Sequence, residues 1–96
     1  MTVICWDEKK NRTNHRKHGI WFDEAQTIWA DQRAIEFFDP EHSEVEDRFI
    51  RIGSSTAQKI LLVVFCERAS GGREVIRILS ARTVTKSERR QHEEGI

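Results

Sequence analysis

Seven consecutive apolar residues, Ile60 to Cys66, constrain the fold of this chain more than any other feature. The run is too short for the core of a helix and is rich in Val and Ile, so it reads as a central strand covered on both faces. Its neighbours alternate instead. From Arg48 to Ile52, Arg48, Ile50 and Ile52 share one face and Phe49 and Arg51 the other. From Val75 to Val84, Ile76, Ile78, Ser80 and Arg82 fall on one face, while Arg77 and Leu79 point the other way. Val3–Trp6 and Ala34–Phe38 read as shorter strands, the second ended by Asp39-Pro40. Glu41–Asp47 is an acidic loop containing His42, Gly53–Gln58 supplies turn residues, and Ser70-Gly71-Gly72 is a turn signal.

Helical signals frame these strands. Asp7 is a suitable N-cap for a helix ending near His18, with Gly19 just past its end. Between Glu8 and His18 there is no large apolar residue. Such a helix is expected to pack through Lys and Arg stems and through Trp6 and Ile20 at its ends, and to be either loosely held or facing a ligand. Phe22, Ala25, Ile28 and Trp29 form a conventional apolar stripe, introduced by Asp23 with Gln26 three residues on, a capping-box pattern. Thr85-Lys86-Ser87-Glu88 has the same pattern and starts a helix to about Glu94. The order β-α-α-β-β-β-β-α predicts an α+β domain, a small antiparallel sheet flanked by N-terminal helices and a C-terminal helix. Ninety-six residues make one domain, spanning 1–96. A deep cavity for a large cofactor is disfavoured at this size, and no cofactor is expected.

Charged residues reach 33%, but Ile, Leu, Val and Phe still make up 24 of 96, enough for a folded core. The net charge of zero hides a division: residues 1–19 carry +3, 20–47 carry −8 and 48–96 carry +5. Basic ends point to polyanion binding, against the plainer reading of a solvated surface of mixed sign. Cys5 and Cys66 lie in apolar stretches without metal or disulfide spacing, which suits a reduced, cytoplasmic protein. No apolar run approaches 18 residues and no secretory signal is legible, so no membrane partner is expected.

Arg48, Arg77 and Arg82 interrupt the strand patterns. A guanidinium binds two phosphate oxygens at once and stays charged at physiological pH, although each Arg also has the plainer option of pairing with a carboxylate such as Glu67 or Glu74. His15, His18, His42 and His92 bear imidazoles able to exchange protons near neutrality. His15 and His18 are spaced i, i+3, but no further ligand stands at metal spacing, so no metal is expected. Trp6 and Trp21 are expected to close the polar helix onto the core rather than to stack bases. No P-loop, GxGxxG, HExxH or GxSxG is present.

Trp6-Asp7 with Lys10, Lys17-His18-Gly19-Ile20, and Phe22 with Ala25 open a wider pattern. It continues through Asp39-Pro40, His42-Ser43 with Arg48, Ile52-Gly53 and Leu62-Val63-Val64-Phe65, and closes on Arg77-Ile78-Leu79-Ser80-Ala81-Arg82 with Glu88-Arg89-Arg90. The chain resembles the BrnT family of type II toxin–antitoxin ribonuclease toxins over nearly its whole length. The resemblance implies a RelE-like fold, an RNase that arrests translation, and a BrnA-type antitoxin with a ribbon-helix-helix domain through which alone operator DNA is contacted. Two features depart from the family pattern. His92 stands where Tyr is common, and the Glu67–Arg73 connection is expected to be longer than a tight turn.

These readings together favour metal-independent RNA cleavage, in which the substrate 2′-OH attacks the adjacent phosphorus. Arg48, Arg77 and Arg82 are assigned to the phosphate and His18 or His92 to acid–base work. Lys10, Lys17, Arg51, Arg89 and Arg90 are assigned to the RNA backbone, and Glu67 and Ser80 to orienting. Alternation leaves open which face carries the site. A non-catalytic RNA- or protein-binding module is the rival reading, since basic sheet surfaces serve binding and cleavage alike.

Overall fold

A computed structural model of the chain describes residues 2–42 and 46–95, apart from the side chain of His42. Ser43 and that imidazole therefore lie outside the described residues. Five strands form one sheet in the order β1-β5-β4-β3-β2, with β1 Thr2–Trp6, β2 Ile35–Phe38, β3 Asp47–Ser54, β4 Ile60–Ser70 and β5 Arg73–Thr83. The apolar run lies in the central strand, as its composition predicts. Helices α1 (Glu8–His18) and α2 (Phe22–Ala25), the latter continued by a 3₁₀ segment over Gln26–Ala30, connect β1 to β2. Helix α3 (Lys86–Glu94) follows β5.

The sheet is mixed, which corrects the expected antiparallel one. β2 to β5 form an antiparallel meander, but β1 pairs with β5 in parallel. Two helical segments carry the chain up and back, so β2 runs opposite to β1, and three further reversals leave β5 parallel to it. The Glu67–Arg73 connection is also shorter than expected. Both strands continue to a two-residue turn at Gly71 and Gly72, with φ of 57° and 76°. Two positive φ values are what a type I′ hairpin requires, and glycine meets them without strain.

One face of the sheet is covered by the first two helices. Leu61, Val63, Ile78 and Ala81 meet Ile20, Phe22, Ala25 and Ile28 in a fully buried cluster, with Ile4, Trp6 and Trp29 packed against it. Gly53 permits the close approach. A Cβ there would lie 3.1 Å from Cβ of both Ile28 and Ala34. Among the described elements, the one laid over the other face, hereafter the open face, is α3, at one end of it, with Ser87, Glu88 and Gln91 bordering a groove with Phe37, Ile50, Ile52 and Leu62.

α3 starts with the predicted capping box between Thr85 and Glu88. α2 does not use Asp23 as its cap: Trp21 occupies the N-cap position without a side-chain bond. The Phe22 N–H is instead accepted by Asn11 Oδ1 at 2.7 Å, so a cap from another helix replaces the local one.

Candidate nucleic-acid interface

The polar helix α1 is held by asparagine, and this explains its composition. Past Ile78, the partner of Trp6, no strand among the described residues lies on the outer side of β5. Asn14, only 5% exposed, fills that place. Its Oδ1 accepts from Ala81 N–H at 3.0 Å, and its Nδ2 donates to the carbonyls of Ala81 at 2.8 Å and Ile20 at 2.9 Å. Asn11, equally buried, bridges to Phe22 and Asp23. Buried backbone groups at an open strand edge need partners, and the Asn14 amide supplies them to Ala81 where an apolar residue would supply none, while Asn11 serves the start of α2. The rest of α1 is freed for cations, and Lys9, Lys10, Arg12, Arg16 and Lys17 are all exposed.

Where α1 takes over from β1, the pairing of β5 with β4 slips. Val64 faces Ser80 and Phe65 faces Ile78, so Leu79 is an extra residue, a β-bulge. One inserted residue reverses the alternation downstream. Arg77 and Arg82, which strict alternation sets on opposite faces, therefore share the open face. The register aligns Arg77 with Cys66 and Arg48 in one cross-strand row, and Arg82 with Leu62 and Ile52 in another. Between the rows Ser80 borders a groove with Lys10, Lys17 and His18 of α1.

The three arginines are not equivalent. Arg82 makes a bidentate contact with Glu88, both N···O distances 2.9 Å. That bond holds the Arg82 proton more firmly than usual, and it keeps the Glu88 carboxyl below its ordinary range. Glu88 is the capping-box residue of α3, so Arg82 fastens the helix to the sheet. Arg77 pairs with Glu46 near the loop yet keeps a side chain 45% exposed. Arg48 is half-buried in the same row.

Other expected site residues are placed elsewhere. Arg51 lies on the helix-covered face, paired with Glu36 and with its guanidinium 5.3 Å from the Trp29 ring centre. Its alternation partner Phe49 shows the same orientation, so Arg51 does not join Arg48. Glu67 is on that face too and orients no arginine of the open face. Burial, a hydrogen bond and charge from Glu74, and the charges of Glu36 and Asp47 push its carboxyl up to about 7. His92 lies on α3, its Nε2 2.8 Å from Asp31 Oδ2. Burial opposes the Asp31 charge, but N–H groups of Ser54 and Arg33 and the His92 ring outweigh it and lower the carboxyl's pKa. Arg89 and Arg90 are exposed on α3. Trp6 meets Phe22 edge-on at the core as expected, but Trp21 is 43% exposed and stacks on His15 with ring centres 3.8 Å apart. Among the described residues, no three His, Cys, Asp or Glu side chains converge as metal ligands would.

Sequence reasoning missed Asn11 and Asn14, and the available signal was their i, i+3 spacing on a helix without apolar residues. The family model "Ribonuclease toxin, BrnT, of type II toxin-antitoxin system" matches residues 6–88. The crystal structure of the Brucella abortus ribonuclease toxin BrnT is similar over 90% of this chain and 99% of that one, with 25% identity and a TM-score of 0.58. No curated protein matches the chain.

Proposed function

The chain belongs to the BrnT family of ribonuclease toxins of type II toxin–antitoxin systems, and we propose that it cuts RNA on the open face of its sheet, with Arg48 and Arg77 at the scissile phosphate. The observation that carries this reading is the Leu79 bulge, which turns Arg77 onto the face that Arg48 shares and that the α1 groove adjoins. The 2′-OH attacks the adjacent phosphorus, the 5′-oxygen leaves, and a 2′,3′-cyclic phosphate remains. Two guanidinium groups two strands apart, about 9.6 Å between Cα atoms, close on a phosphate from either side with their long side chains. Charge developing on the non-bridging oxygens is stabilised there without reorganisation. Ser80, whose partner Val64 is two residues from the partner of Arg77, lies about 7 Å along the sheet from it and marks where the groove begins.

In that groove Lys10 and Lys17 hold the flanking backbone, and His18 moves the proton. Arg82 acts on α3 rather than on phosphate. No step in this chemistry calls for a metal ion. A meander with helices over one face and α3 at the end of the other supports the RelE-like description, and cleavage of messenger RNA would stop translation. The partner is an antitoxin with a ribbon-helix-helix domain, whose acidic segment covers the basic face and which alone touches operator DNA.

The test is cleavage of single-stranded RNA by the purified chain in EDTA, with analysis of product ends. Cyclic phosphate termini are expected. Arg77→Ala should lower the rate about a hundredfold, the effect of losing one preorganised charge worth roughly 3 kcal/mol. Arg77→Lys should restore part of it, because the forked geometry is lost. Products that require added divalent metal would overturn the mechanism, and RNA bound tightly without turnover would favour a binding module.

A further inference from the structure

Both cysteines stand in the same row as the phosphate-facing arginines. Cys5 of β1 is in register with Arg77 of β5, Arg77 with Cys66 of β4, and Cys66 with Arg48 of β3. Cys5, Cys66 and Arg77 line one cavity of about 180 Å³ together with Glu46, Arg68 and Val75. Both thiols are free, Cys5 exposed and Cys66 buried. They do not serve each other. Two strand spacings set their Cα atoms about 9.6 Å apart, beyond the roughly 7 Å a disulfide spans.

We propose that Cys5 is a modification site for small disulfides bearing carboxylates, of the glutathione type, and that the mixed disulfide closes the RNA-binding face. Among the described residues that line the cavity are a buried thiol, an exposed one, and two guanidinium groups, Arg77 and Arg68, against the carboxylate of Glu46. That surplus of positive charge suits an anionic disulfide. The Cys5 thiol gives its proton to solvent, and its sulfur attacks one sulfur of the disulfide. A new S–S bond forms as the old one breaks, and the departing thiolate takes the electron pair and then a proton from water. Cys5 is oxidised as the departing sulfur is reduced. The carboxylates left behind lie against Arg77, where a phosphate oxygen would bind. Closure of the face rests on the reading of function given above, whereas the modification itself does not.

The experiment exposes the reduced full-length chain to oxidised glutathione and to neutral 2-hydroxyethyl disulfide, maps the modified residue by mass spectrometry, and measures RNA binding. One adduct at Cys5 is expected, and none there in Cys5→Ser. The ratio of the anionic to the neutral rate should fall at least threefold in Arg77→Gln, the factor for one unit charge at about 6 Å in water. The adduct should weaken RNA binding tenfold or more, reversibly with dithiothreitol, while Cys5→Ser binds and cuts like the unmodified chain. Adducts mapped to Cys66, a rate ratio that Arg77→Gln leaves unmoved, or an adduct that binds RNA undiminished would overturn the proposal. An unmodified chain that fails to hold RNA would overturn the earlier reading instead, since mapping and rate ratio decide the modification site alone.

Discussion

Replacing Asn14 with alanine tests the account of the polar helix most directly. The amide makes three hydrogen bonds, to Ala81 N–H, Ala81 C=O and Ile20 C=O, at a position 5% exposed. At about 1 kcal/mol net per bond the loss is about 3 kcal/mol, and the groups left behind are backbone that water reaches poorly. A domain of this size holds roughly 5–14 kcal/mol in all. With a urea slope of about 1.2 kcal/mol per molar, the midpoint should fall by about 2.5 M. Asn14→Asp is the sharper control: it keeps the acceptor for Ala81 N–H but sets a carboxylate against two carbonyl oxygens, so it should cost at least as much at pH 7. Urea unfolding followed by tryptophan fluorescence reads both. A midpoint shift below about 0.5 M at unchanged slope for either variant would refute the claim that asparagine docks α1, and would return the helix to packing through its Lys and Arg stems.

Arg82→Ala removes a partly exposed ion pair, 39% on the Arg side, so it should cost only about 1 kcal/mol after screening and slow cleavage far less than Arg77→Ala. An equal loss in both variants would move Arg82 to the phosphate. Glu67→Gln should stabilise the protein near pH 8, on the order of 1 kcal/mol allowing for solvent screening, and do little at pH 4. The sign follows from a folded pKa of about 7 lying above the unfolded 4.5: the folded state holds its proton longer, so stability is fully present below the unfolded value and falls as pH rises through about 7. A flat difference between pH 4 and 8 in urea titrations would contradict it. Gly53→Ala should cost about 1–3 kcal/mol through overpacking against Ile28 and Ala34, checked by thermal unfolding.

Local signals in the sequence carried most of the elements. The run at Ile60–Cys66, the Asp7 and Thr85 caps and the glycine turns all act over a few residues, and each stands where its chemistry predicts. Long-range pairing was not legible in the same way. Nothing near Val3 tells that its strand will lie parallel to β5, because that follows from the number of reversals between them. The phase of Arg77 was misread for a related reason: alternation holds only while the register holds, and Leu79 looks like any other apolar strand residue. For His92 and Glu67, titratable type says nothing of company. One faces Asp31 and the other faces Glu74.

The bulge and the asparagines belong to one construction. β1 is five residues long and ends opposite Ile78, so β5 must either expose its edge beyond that point or find another partner. A bulge tightens local twist and turns a strand away from its neighbour, and here it comes at the residue after Ile78. The turned edge then meets a helix instead of a strand, and a helix offers no ladder of backbone groups, so a side-chain amide takes that role. Asn14 meets that need at Ala81, Asn11 one turn earlier caps the Phe22 N–H, and both leave the exposed positions of α1 to charged side chains. Cations can then occupy them without cost to the core. The inserted residue reverses the pleat and sets Arg77 beside the groove that Lys10, Lys17 and His18 line. The end of β1 thus leaves the edge that α1 covers, and the bulge beside it sets the phase that gathers positive charge on one face.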